Sequence, residues 1–298
     1  MENLPIGGRL VDPAAPLGSG VVRSSGDADP LAALVDLPGV ADAAAEATLA
    51  VDRLLAHRVL RRDSASVSTE SALRGARASA ALAGEEVALS VIRVGGGGPV
   101  VRGALRVGAE LGTLSGTWTR APGQVLARLH VLAARELLPA ERLGRPVSAA
   151  AAARLAAVVA ELTGRPALVR GASLGWPAPP DGVRAAAVPG DAVRPALPAV
   201  LLAAVVHGEL LTAEPFGTGS GVVARAAGRL TLHSRGLDLR AVSVPEVGHL
   251  ALGDYVHRAA DYGCGEPAAV AAWLRHCCAA VTLGAREGLA MCEARLRG

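Results

Sequence analysis

Only six of the 298 residues are aromatic, so this chain has almost none of the large rings that usually wedge a protein core apart. With 51% hydrophobic residues it can still bury a core, but one built from 63 Ala together with Leu and Val. Small side chains of this kind favour close helix-on-helix contact. The expectation is an all-α fold, and a β-sandwich is disfavoured.

The shortage of rings also argues against single-stranded nucleic acid as a ligand, because that recognition stacks bases on aromatic platforms among basic residues. All 30 basic residues are Arg and they are scattered, with a net charge of only +3. No nucleic-acid footprint is expected. Mean hydropathy is +0.37, yet the longest uncharged apolar run, Pro195 to Val206, falls well short of the roughly 20 residues that span a bilayer. Neither a membrane partner nor export is expected, since Glu2 stands where a signal peptide carries positive charge. The four cysteines fall among the last 35 residues without a C-x-x-C pair, which points to reduced thiols and a cytoplasmic location.

Three regions follow from the pattern. Residues 1–29 mix Gly, Pro, Ser and Asp without periodicity and read as a mobile tail. Residues 30–123 form an N-terminal helical region: helices broken near Pro38-Gly39, a helix starting near Ser68 or Thr69, glycine punctuation at Gly95 to Gly98, and a helix over Val100 to Leu114. Residues 124–298 hold helices over Gln124 to Leu138, Ser148 to Leu162, Ala199 to Thr212 and Val222 to Arg235. Two more close the chain, around Ala251 to Tyr262 and Ala268 to Cys292. Pro122 and Pro146 stand where first-turn prolines are tolerated. The proline-rich stretch over 164–198 cannot be a long helix.

The informative segment is Glu214-Pro215-Phe216-Gly217-Thr218-Gly219-Ser220-Gly221-Val222-Val223-Ala224-Arg225. Three alternating glycines open directly into a helical run, so backbone N–H groups can converge at the positive end of a helix and hold a phosphate or another anion. The third glycine is wrongly spaced for a dinucleotide fingerprint, and a helix precedes the turn. A plain glycine-rich helix connection is the alternative reading, and spacing alone favours it.

This segment resembles the Fic, or Fido, family signature H-x-F-x-(D/E)-G-N-G-R-x-x-R, retaining Phe216, Gly219, Gly221 and Arg225. The likeness extends over roughly residues 124 to 290, through Leu129-His130, Arg235-Gly236-Leu237 and Val244-Pro245-Glu246. It implies a Fido-like helical bundle with the glycine-rich loop between two central helices, and a flap over 164–198. The Leu168-Val169-Arg170 edge of that flap would receive a protein partner as an added strand. It also implies a nucleotidyltransferase ancestry with ATP or another nucleotide as cofactor, while magnesium is left unassigned because Thr218 stands where the metal-binding acid would be. Upstream, Ser79-Ala80-Ala81-Leu82-Ala83-Gly84 looks like the family's inhibitory motif, (S/T)-x-x-x-E-(G/N), with Ala83 in place of the acid. Glu85 or Glu86 is then the candidate substitute.

The departures shift the expected chemistry. Glu214 stands at the place of the proton-accepting His, Thr218 at the metal-binding acid, Ser220 at the phosphate-binding Asn and Val222 at the first phosphate-clamping Arg. The resemblance therefore implies a degenerate motif that binds a nucleotide or other phosphate-bearing ligand, or a partner, through Gly217, Thr218, Gly219, Ser220, Gly221 and Arg225. Two alternatives stand beside it: a non-standard transferase using Glu214 as base if burial raises its pKa, and a ligand-free interaction module. Thr218 also reads as a turn residue, and Phe216 as a core anchor.

His207 and Glu209 are secondary acid–base candidates, His207 also reading as a satisfied core histidine. His257, Cys264, His276, Cys277 and Cys278 offer soft ligands without finger spacing, so no metal site is expected. Trp273, Cys277 and Val281, spaced by four, read as one buried stripe.

Overall fold

The computed structural model describes residues 31–163 and 197–297. Twelve α-helices follow one another: α1 Val40–Leu55, α2 Val59–Arg62, α3 Ser64–Leu82, α4 Leu89–Arg93, α5 Pro99–Trp118, α6 Pro122–Ala134, α7 Ala149–Thr163, α8 Ala199–Ala213, α9 Ser220–Ser234, α10 Pro245–Leu252, α11 Tyr255–Gly263 and α12 Pro267–Arg297. No strand occurs among the described residues, so the fold is all-α. The expected tail, the flap and its partner-binding edge lie outside the described residues, apart from Leu197 and Pro198 at the entry to α8.

Residue type accounts for the breaks. Pro99, Pro122 and Pro245 open their helices, where the missing N–H costs nothing. Gly39, at φ 72°, admits the left-handed turn into α1. Pro146 lies before its helix, and Ser148 Oγ caps α7 by accepting from Ala151 N–H at 3.1 Å. The third helix begins at Ser64, before the expected Ser68 or Thr69, and Glu70 sits inside it, paired with Arg74 (2.7 Å) and Arg93 (2.6 Å). The expected helix around Ala251 is two helices. Gly253 (φ 69°) and Asp254 (φ 31°) interrupt the run after α10.

The N-terminal and C-terminal regions share one core. Val40, Ala44, Ala47, Val51 and Leu54 form the buried stripe of α1, which packs on α12. Helices α8 and α9 are buried on nearly every side and stand at the centre, with α5 and α6 against α9 and α7, α11 and α12 against α8. Close approach, expected from the small side chains, is made at several crossings by glycine. A Cβ on Gly103 would lie 2.2 Å from Ala133 O, and one on Gly284 would lie 2.5 Å from the Val244 carbonyl carbon. Gly208 leaves room for Trp273, whose indole N–H donates to Ala204 O at 2.9 Å. The Trp273, Cys277 and Val281 stripe is buried, as its spacing implies.

At 31 residues, α12 is long and apolar enough to span a bilayer by length and composition, although no single uncharged run marks it. Some 67% of its most apolar window is buried inside the protein.

Candidate functional site

The turn between α8 and α9 is built from inside. Glu214 ends α8 in a left-handed conformation (φ 40°, ψ 52°), and Gly217 N–H returns to its carbonyl at 2.9 Å. Ser220 Oγ accepts from Phe216 N–H at 3.1 Å, which closes the turn on itself. Phe216 is buried as an anchor and stacks on His130, with ring centroids 4.6 Å apart. Gly144 N–H donates to His130 Nδ1 at 2.9 Å, which leaves the ring proton on Nε2, where it donates to Thr218 O at 3.0 Å. Burial holds this imidazole below its usual pKa. From the other side, Val147 N–H donates to Pro215 O at 2.9 Å.

These bonds leave four amides over. The N–H groups of Thr218, Gly219, Gly221 and Val222 enter no hydrogen bond among the described residues. Those of Gly221 and Val222 belong to the first turn of α9, where intrahelical acceptors are missing and the dipole is positive. The loop is not sealed in the core: it borders a cleft of about 890 Å³. Glu214, Gly217, Thr218, Gly219, Gly221 and Arg225 all line the cleft, with Leu82 and Ala83 from the end of α3 and Tyr255, Val256 and Ala259 from α11.

Arg225 forms the floor. The residue is 4% exposed, and no described carboxylate pairs with it. Its Nε–H donates to Ser79 Oγ (2.8 Å), Nη2 to Ser79 O (2.8 Å) and Nη1 to Tyr255 Oη (3.2 Å), and its guanidinium carbon sits 5.7 Å from the Tyr255 ring centre. A Cβ on Gly221 would lie 3.3 Å from Nη1, so the arginine lies against the glycine turn.

Other expected residues land elsewhere. Ser220 faces inward and does not line the cleft, because its hydroxyl already serves the turn. Glu214 is exposed and lacks the burial on which its role as base depends. Glu85 and Glu86 do not replace the missing acid at Ala83. Glu85 caps α5, accepting from Gly98 N–H and from Val100 N–H at 3.0 Å, and Glu86 stands 4.0 Å from Arg77. Glu209 is buried between Tyr262 Oη and Arg154, both at 2.9 Å.

His207 is buried behind the cleft, its Nε2 2.8 Å from Tyr255 Oη. Burial, then the charges of Arg225 and His276, hold its pKa well below the usual imidazole range. Of the expected soft-ligand group, His257 is exposed beside Asp261 and Cys264 is exposed. Burial pushes the Cys278 thiol up to about 12. Cys277 instead meets His207 and His249. The sequence gives no sign of Tyr255 as the link between Arg225 and His207, since the three residues come from three helices.

The fold and site thus define an all-α protein with a solvent-open cleft over a glycine-rich helix start. Among known proteins, no family model matches the chain, and no curated protein matches it.

Proposed function

We propose that this cleft binds a phosphate-bearing ligand, a nucleotide or a simpler phosphoanion, and that the protein acts by binding it. The single observation that carries this reading is Arg225, a buried guanidinium without a carboxylate partner, lining the cleft together with Thr218, Gly219 and Gly221, whose amides are unbonded. A buried charge without a counter-ion is costly, and an anion held by the helix start and the guanidinium would supply one. The likeness of the loop to the Fido signature points to the same ligand class.

Standard transfer of a nucleotidyl group finds less support in these side chains. Such chemistry depends on positioned charge, usually with a metal on a carboxylate. Thr218 supplies none, and the one acid lining the cleft among the described residues is Glu214, which is exposed. The apolar wall of Leu82, Leu211, Val256 and Ala259 fits a ligand with a non-polar part beyond its phosphates, such as a nucleoside.

Calorimetry with pyrophosphate, ADP and ATP tests the reading. Wild-type protein should release or absorb heat with at least one of them, and Arg225→Gln, verified as folded by circular dichroism, should lose it. Absence of heat in the wild type with all three would leave a ligand-free interaction module. Incubation with labelled ATP covers the transferase alternative: protein-bound label that Glu214→Gln abolishes would replace binding with catalysis.

A further inference from the structure

Behind the cleft, three helices bring a different kind of chemistry together. One potential metal-ligating atom each from His207 of α8, His249 of α10 and Cys277 of α12 lie within 4.8 Å of one another, and all three residues are buried. Each ring already spends one nitrogen: His207 Nε2 is 2.8 Å from Tyr255 Oη, and His249 Nδ1 is 3.1 Å from His276 Nε2. The other nitrogen of each ring enters no hydrogen bond among the described residues. A metal-binding histidine usually ligates through one nitrogen while a partner holds the other, and each of these rings has one nitrogen held and one unbonded.

The trio also borders a cavity of about 30 Å³, enough for a water molecule as a further ligand. Buried Glu246 lines the same cavity. Its carboxylate accepts no hydrogen bond among the described residues, and its ion pair to Arg229 is 3.7 Å long. It therefore adds negative charge whose bonding capacity is largely unused.

We infer that His207, His249 and Cys277 form a binding site for a thiophilic divalent transition-metal ion, zinc by its donor set. Two imidazoles and one thiolate, completed by water, give zinc the four-coordinate shell it prefers. On binding, the Cys277 S–H bond breaks, the proton leaves to solvent and the sulfur donates its pair to the metal. The thiolate cancels one of the two metal charges, so the cavity holding Arg225, Arg229 and Glu246 gains a single positive charge. The site ties α8, α10 and α12 together and stands apart from the anion reading of the cleft. Its three ligands lie far apart in sequence, so no spacing reveals it.

Metal content of the full chain, purified from zinc-supplemented growth and dialysed, tests the site. The wild type and Cys264→Ser should each hold about one zinc per chain, and Cys277→Ser and His249→Gln should hold none. Cobalt in place of zinc should give the near-ultraviolet sulfur-to-cobalt band in the wild type and lose it in Cys277→Ser. Natively folded wild type retaining no zinc after growth and refolding in the metal would overturn the site. So would a cobalt–sulfur band that survives Cys277→Ser and disappears in Cys264→Ser. Because the wild-type measurements alone can refute the site, a variant that fails to fold does not shield it.

Discussion

Arg225 reaches from α9 to the last turn of α3 and takes both oxygens that Ser79 offers, Nε to the hydroxyl at 2.8 Å and Nη2 to the carbonyl at 2.8 Å, across 146 residues of sequence. The contact holds the arginine at the base of the cleft while leaving its charge unneutralised. It also makes the end of α3 a wall of the site and not merely a neighbour of it.

Ser79→Ala should cost about 1–3 kcal/mol, because a buried charged N–H loses its acceptor. The comparison is Thr69→Ala, an exposed position on the same helix whose hydroxyl only back-bonds to Ala65 O at 3.0 Å, where the change should stay within about 0.5 kcal/mol. Urea unfolding of both variants checks this. Equal midpoints would mean that the Ser79 hydroxyl carries none of the arginine's burial.

The glycines of the turn should separate stability from binding. Gly219 adopts φ 92°, so Gly219→Ala forces a left-handed alanine and should cost about 1–2 kcal/mol. Gly221 lies inside α9 without a positive φ, and its new methyl would meet Arg225 Nη1 at 3.3 Å. Gly221→Ala should therefore keep stability within about 1 kcal/mol of wild type while weakening pyrophosphate binding, since the methyl crowds the first-turn amides and the guanidinium. Unfolding curves paired with calorimetry read both effects. Intact binding in Gly221→Ala would remove the turn from the ligand's path.

How much of this was legible follows from the range of each signal. Helices with a long apolar stripe, such as α1 and α12, declare themselves through local periodicity. The eight residues of α10 do not, since two turns hold too few repeats and the break at Gly253-Asp254 looks from sequence like one more flexible step. Phe216 as anchor was readable because it is the single Phe in the chain. The inward turn of Ser220 was not, because a hydroxyl at a helix start can bond the loop or a ligand, and only the 3.1 Å approach of Phe216 N–H decides it. The trio His207, His249 and Cys277 depends on how α8, α10 and α12 pack, which no local pattern encodes.

Acid should loosen the turn through His130. Its pKa in the folded protein lies below the ordinary value of 6.5, with burial as the first cause, partly offset by the bond to Thr218 O. The unfolded chain then binds more protons just below about pH 6.5, so stability is fully present above that pH and falls as pH drops towards the folded-state value. A second proton would also sit on Nδ1, where Gly144 N–H now donates. Urea midpoints at about pH 8 and about pH 5 should show a larger acid loss in wild type than in His130→Asn, whose side chain does not titrate. Other buried imidazoles are common to both proteins and cancel in the difference. Identical acid losses would mean that His130 does not feel its burial.

Glycine-to-alanine changes elsewhere should act with opposite signs according to what faces the missing methyl. On Gly248 of α10 a Cβ would lie 2.1 Å from Ala280 O, a backbone atom of α12 that cannot turn aside. Gly248→Ala should thus cost at least the roughly 1–3 kcal/mol of overpacking, by forcing the two helices apart. Gly112, inside α5, is exposed and has nothing within 4 Å of its would-be methyl, so Gly112→Ala should instead stabilise by roughly 0.5–1 kcal/mol through backbone entropy. Thermal unfolding of the two variants should bracket the wild type. If Gly248→Ala is as stable as wild type, α10 and α12 are not in backbone contact, and the close glycine crossing that substitutes here for aromatic packing is not what holds the core.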